Sequence, residues 1–128
     1  MEGHTKIAFE FIKRCPDSKY LLNNLGQNAL HVAAKNGESF TSFFLMGDKE
    51  TEHLGVGQDV DGNTPLHLAV MNWHFKSINC LASSSKILKL RNKRGLRARD
   101  IAELEVKPNY IFQEVYLILF HITYFDLT

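Results

Sequence analysis

The stretch DGNTPLHLAV, residues 61–70, decides how this chain folds. Thr64 and Pro65 have the side chains that start a helix, because a threonine caps the first turn and a proline at the first helical position loses no hydrogen bond. His67 follows within that turn. A histidine placed there has two interpretations: it is a catalytic base or metal ligand, or it is a buried polar residue that ties the turn to the helix.

Two further copies of this pattern flank the stretch. NNLGQNALHVAAKNG precedes it, and LRNKRGLRARDIAE follows it. Aligning Gly26 with Gly62 pairs His31 with His67 at an offset of 36 residues, and aligning Gly95 with Gly62 gives the third copy at an offset of 33. The chain is therefore built from repeats of one short unit.

Each copy is predicted to form a tight turn followed by two short helices. The glycine of the turn accepts a positive φ at little cost. Small alanines on the first helix allow a neighbouring helix to approach closely, and apolar residues on the second helix recur at spacings of three and four, which predicts a buried stripe. That stripe comprises Phe40, Phe43, Phe44 and Leu45 in one copy and Phe75, Ile78 and Leu81 in the next.

The turn, the TPLHLA helix start and the period near 33 resemble the ankyrin repeat. GHTKIAFEFI, residues 3–12, resembles the second helix of an earlier repeat. CPDSKYLLNNLGQNALHVAAKNG and RNKRGLRARDIAELEVKPNYIF resemble plant ankyrin proteins of the accelerated-cell-death type, in which cytosolic repeats precede several membrane-spanning helices. The resemblance implies an all-α fold, an ankyrin-repeat α-solenoid of helix-turn-helix units with β-hairpin-like loops.

The repeats divide the chain into five expected parts. These are a partial repeat with only its second helix (1–20), two ankyrin repeats (21–57 and 58–90), a degenerate last repeat (91–107) and an apolar C-terminal helix or tail (108–128). The apolar stretch of this tail is shorter than the roughly 20 apolar residues that a helix needs to span a bilayer. Because about three repeats are the usual minimum for stability, we expect a marginal domain that self-associates.

Composition favours a cytoplasmic protein without a nucleic-acid partner. The net charge is only +1, which gives no general attraction to phosphates. Cys15 and Cys80 lie far apart in sequence and form no metal motif, as is usual in a reducing cytosol. The N-terminal residues are charged and amphipathic and lack the features of a signal peptide. We expect a location in the cytoplasm or at the cytosolic face of the plasma membrane.

The recurrence of the histidine favours its structural interpretation. His31 and His67 stand at the same place in two copies, as expected of residues that satisfy buried backbone groups. Catalysis would need a nucleophile or carboxylate beside them, and a metal would need three or four converging ligands. We therefore expect no enzyme, no catalytic or metal-binding residue and no cofactor. The structural motif residues are Gly26, His31, Gly62, Thr64, Pro65, His67 and Gly95.

The ankyrin resemblance implies a protein partner that binds the hairpin tips and the inner helices. The candidate contact residues are Asn24, Gln27, Lys35, Asn36, Asp61, Asn63, Met71, Asn72, Trp73, Arg94 and Arg97. Trp73 stands near the place where the first copy has Gly37. A glycine there allows the left-handed backbone of the turn between the two helices of a repeat. Either Asn72 takes up that turn in the second repeat, or Trp73 packs against a neighbour or a partner.

Charge is unevenly distributed along the repeats. Residues 86–99 hold seven Lys or Arg and no acid, whereas residues 48–61 hold five acids and one Lys. The basic run is either a solvated surface or a patch that faces an anionic membrane, where each cation contributes roughly 1 kcal/mol. The sequence thus predicts an interaction module in plant defence or stress signalling. The alternative is the cytosolic part of a membrane-associated ankyrin regulator that contacts the membrane through the basic patch and the apolar tail.

Overall fold

The computed structural model describes residue 14 and residues 21–104 of the chain. Within residues 21–104 the helices are α1 (Ala29–Lys35), α2 (Ser39–Gly47), α3 (Pro65–Met71), α4 (Phe75–Leu81), α5 (Ser85–Lys89) and α6 (Ala98–Leu104), and a 3₁₀ helix spans Glu52–Val56. No strand occurs among these residues, and the all-α class is confirmed. The predicted partial repeat (1–20) and apolar tail (108–128) lie outside the described residues, apart from residue 14.

The helices form two layers. In the inner layer α1 packs on α3 and α3 packs on α6, while in the outer layer α2 packs on α4. Short turns join the two layers within each repeat. Because the repeats are stacked in chain order, each one contacts mainly its neighbours. One apolar core runs between the layers, and its fully buried large apolar side chains are Leu30, Leu45, Leu66, Val70, Ile78, Leu81 and Ile87.

Polar caps fix where the inner helices begin. The Asn28 side chain accepts hydrogen bonds from the backbone amides at the start of α1, and the Thr64 side chain does so for His67 at the start of α3. Pro65 is the first residue of α3, where the missing amide hydrogen leaves no helical hydrogen bond unmade. The starts of α1 and α3 are thus encoded locally in the sequence.

The buried stripe predicted for α2 is wrong at two positions. Phe40 and Phe43 are each 69% exposed. The face of α2 that turns inward instead carries Thr41, Ser42 and Leu45. The reason is geometric: the inward face of a short helix takes residues spaced one, three and four apart, and α4 buries Ser77, Ile78 and Leu81 in the same pattern.

Trp73 itself takes the left-handed turn between α3 and α4. Its φ is +60°, close to the +73° of Gly37 in the preceding repeat, while Asn72 keeps a negative φ. A side chain in this region costs roughly 1–2 kcal/mol relative to glycine. The repeat keeps its turn geometry at this position in spite of the residue, because the helices on both sides impose it.

Candidate protein interface

The two repeat histidines join successive repeats through their imidazole rings. His67 Nδ1 accepts a hydrogen bond from the Thr64 amide at 3.1 Å, and its Nε2 donates to the carbonyl of Leu96 in the next repeat at 2.7 Å. His31 repeats the arrangement one unit earlier, with its Nε2 2.8 Å from the Asn63 carbonyl oxygen. Both rings are essentially inaccessible to water. They fasten the turn of one repeat to the helix start of the previous one.

Burial also sets the protonation state of these histidines. Desolvation lowers the pKa of His31 and of His67 below the ordinary value, and this outweighs the raising effect of the carbonyl each one contacts. Both rings are therefore neutral at physiological pH. The hydrogen bonds assign the tautomer of each neutral ring. Nδ1 accepts from a backbone amide and Nε2 faces a carbonyl oxygen, so Nε2 carries the proton.

Asp100 occupies the matching position in the third copy and makes one of the two hydrogen bonds that the histidines make. Its carboxylate accepts from the Arg97 amide at 2.8 Å, as the imidazole Nδ1 does in the earlier copies, and it also contacts the side chains of Arg97 and Arg91. Partial burial alone would raise the pKa of Asp100, but the hydrogen bonds from Arg97 outweigh it and lower that pKa. A carboxylate has no hydrogen to donate, so Asp100 lacks the donor function that Nε2 gives to the two histidines.

A second set of repeating residues, absent from the predicted sites, holds the turns. The carboxyl or amide Oδ1 of Asn23, Asp59 and Asn92 accepts two backbone amide hydrogens of its own turn at 2.9–3.0 Å. Each stands three residues before a turn glycine. This spacing was visible in the repeat alignment, and an Asn or Asp that bonds its own backbone is a known turn former.

Two predicted contact residues are not on the surface. Gln27 and Asn63 are each only 6% exposed. Gln27 Nε2 donates to Asp59 at 3.3 Å, and Asn63 Oδ1 accepts from Asn92 Nδ2 at 3.0 Å. Their side chains are consumed by hydrogen bonds between successive turns, so the expectation that they face a partner is wrong.

The other predicted contact residues lie in two bands. Asn24, Asp61 and Arg94 are exposed at the tips of three successive turns. A second band at the ends of the inner helices comprises Lys35, Asn36, Met71 and Asn72, all exposed, together with the half-buried Trp73. Arg97 is half-buried and paired with Asp100 at 3.2 Å. We call the two bands together the recognition face.

The basic run divides into paired and outward-facing cations. Arg91 and Arg97 contact Asp100, and Arg99 contacts Glu103 at 3.3 Å. Among the described residues, the remaining cations of the run take part in no ion pair and are exposed. These four are Lys86, Lys89, Lys93 and Arg94.

The described residues 21–104 contain no group of His, Cys, Asp and Glu that could hold a metal ion. In the same part of the chain, no helix has both the length and the hydrophobicity that crossing a bilayer requires. Cys80 is half-buried, and burial raises the pKa of its thiol, which disfavours the reactive thiolate. The geometry described above is that of a repeat scaffold with a variable surface.

The family model for ankyrin repeats in three copies matches residues 1–92. The chain belongs to the ankyrin-repeat family. It is also similar to Protein ACCELERATED CELL DEATH 6 of Arabidopsis thaliana, with 78% identity over 77 residues. That match covers 59% of this chain but only 12% of the relative. The chain thus spans a small part of the length of the relative it matches.

Proposed function

We propose that this chain is a non-catalytic protein-interaction module that acts in plant defence signalling. Lys35, Met71 and Leu104 end the three inner helices at equivalent positions. Lys35 is exposed, Met71 is 42% exposed and Leu104 is 68% exposed. A fold that keeps the backbone and changes the chemistry at one exposed position is suited to recognise a particular partner. This observation carries the proposal.

The defence role rests on the similarity to the Arabidopsis protein, whose name refers to cell death. Partners bind the recognition face, where turn tips and helix ends present polar, charged and apolar side chains on a rigid stack. Trp73 belongs to this face, and tryptophan is among the residues that most often dominate binding energy. Because the buried histidines and caps hold the scaffold, substitutions on the face should leave the fold intact.

The paired substitution Lys35→Ala with Met71→Ala tests this proposal. We express the tagged variant in leaves and measure the proteins that proximity labelling enriches. The amount of each protein enriched by the parent chain should fall roughly fivefold or more, because losing about 1 kcal/mol of binding free energy has that effect. Cell death is measured in the same leaves as the leakage of ions.

The matched control is Glu52→Ala with Val56→Ala, which also removes one exposed charged and one exposed apolar side chain, but on the 3₁₀ helix. It should keep both the enriched proteins and the leakage. Equal losses in both variants, or a lowered melting temperature in the first, would contradict the assignment of the recognition face.

A second candidate function is attachment to the cytosolic face of a membrane. The observation that favours it is the cluster of Lys86, Lys89, Lys93 and Arg94, which is exposed and without acidic partners among the described residues. Four cations near an anionic leaflet contribute roughly 1 kcal/mol each. The apolar residues 115–125 would add a hydrophobic contribution.

Co-sedimentation with phosphatidylserine-containing vesicles tests the membrane candidate. We expect binding that weakens with added salt and is lost in the Lys93→Glu, Arg94→Glu variant. The control Lys35→Glu, Lys49→Glu changes the net charge by the same amount at exposed sites elsewhere and should still bind. Equal binding by both variants would exclude the basic cluster as the membrane contact.

A further inference from the structure

The outer helix α2 carries two phenylalanines on its solvent side. Phe40 and Phe43 are each 69% exposed. At an offset of 36 residues, α4 has Lys76 and Asn79 in the equivalent positions, and both are exposed. The stack therefore does not need an apolar residue at these places. Adjacent exposed aromatic side chains on one helix are characteristic of a surface that becomes buried in a contact.

Charges of opposite sign flank this apolar centre. Phe43 lies between two shallow grooves. One, of about 350 Å³, runs between α2 and α4 and has Lys76 on its wall. The other is lined by Phe44 and by Asp48, Lys49 and Glu50, which together carry a net negative charge. We call Phe40, Phe43, Lys76 and Asp48 the outer patch.

We propose that the outer patch binds the same patch of a second copy of this chain. In a two-fold contact each patch meets itself in the opposite orientation. A rotation axis near Phe43 stacks the phenylalanines of the two copies and brings Lys76 of each copy against Asp48 of the other. The patch is thus complementary to itself in both hydrophobicity and charge.

This contact lies on the outer layer and leaves the recognition face open. A dimer of this kind presents two recognition faces at once, so that a partner with two binding segments is held by both. The inference goes beyond the proposed function, because it assigns a different surface and a different partner. Its failure would leave partner binding at the recognition face untouched.

Sedimentation velocity of the full 128-residue chain over a range of concentrations tests the proposal. We expect a monomer–dimer equilibrium in the parent chain. The variant Phe40→Lys, Phe43→Asn carries the two side chain types of the equivalent positions on α4, so it is compatible with the fold. It should sediment as a monomer and keep the melting temperature measured at low concentration.

A charge exchange tests the predicted pairing directly. Lys76→Glu places like charges together and should weaken dimerisation roughly tenfold or more. Adding Asp48→Lys to Lys76→Glu restores the opposite charges and should recover most of the affinity. High salt should weaken the parent dimer and the exchanged dimer alike.

Three outcomes would overturn the proposal. The first is a parent chain that stays monomeric at every concentration. The second is a dimer that survives in the Phe40→Lys, Phe43→Asn variant. The third is a lower melting temperature for that variant without a change in mass, because the phenylalanines would then be covered by another part of the same chain.

Discussion

Replacing Gly62 by alanine should lower the free energy of unfolding by about 2–5 kcal/mol, whereas the same change at Gly95 should cost only about 1–2 kcal/mol. Both residues have nearly the same backbone, with φ of +76° and +77°. A left-handed alanine is strained by the same amount at either site. Alanine also loses less backbone entropy on folding than glycine does, and this partial offset is equal at the two sites. The backbone term therefore cancels in the comparison.

The two sites differ in what a new methyl group would meet. A Cβ on Gly62 would lie 2.7 Å from the Lys93 backbone nitrogen and 3.1 Å from backbone atoms of Asn92, whereas a Cβ on Gly95 would meet no atom of the described residues within 4 Å. The Lys93 amide donates to the Asp61 carbonyl at 3.0 Å, so relief of the clash would disturb a hydrogen bond between successive turns.

Urea unfolding of both variants in one buffer measures this difference. The excess loss at Gly62 reports how tightly two turns pack. Equal losses at the two glycines would mean that the next turn moves aside freely, and the turns would then contribute little to the coupling between repeats.

Much of the fold was predictable because the repeat is encoded in local sequence. The ankyrin family and the all-α class are confirmed. The period alone singled out the turn glycines and the paired histidines, since a tight turn and a capped helix start each need particular residues within a few positions. The recurrence of the histidine at matching positions favoured its structural interpretation, and both rings do bond successive repeats.

The errors arose where the answer depended on distant residues. FTSFFLM, residues 40–46, is so rich in apolar residues that its own spacing does not select an inward face, and only alignment with α4 would have shown that Phe40 and Phe43 point outward. Gln27 and Asn63 looked like surface residues because their partners lie 32 and 29 residues away. The alignment of Trp73 with Gly37 indicated a left-handed turn, but a tryptophan side chain disfavours a positive φ, so which residue takes the turn depended on the packing of two helices.

Replacing His67 by alanine should lower the free energy of unfolding by about 3 kcal/mol or more, the other large effect that we expect. The change leaves the part-buried Leu96 carbonyl without its donor, which costs toward the lower end of the roughly 1–3 kcal/mol of an unsatisfied buried group. It also removes the acceptor of the Thr64 amide and opens a cavity beneath a fully buried ring, which adds a further cost. Replacing His53, whose side chain is exposed on the 3₁₀ helix, by alanine is the control and should cost clearly less than replacing the fully buried His67.

The pH dependence of stability provides the second readout for His67. Because its pKa is lowered in the folded state, unfolded chains bind the proton more tightly, so the stability from its neutral form is complete above about pH 6.5 and is lost as pH falls below it. The parent chain should therefore lose stability between pH 7 and pH 5, and His67→Ala should show a shallower decline, with His31 supplying the remainder. Asp100 does not contribute in this window, since its lowered pKa makes its effect appear only below about pH 4. An unchanged slope in His67→Ala would show that burial does not hold the ring neutral, and a protonated Nδ1 could then not accept from the Thr64 amide.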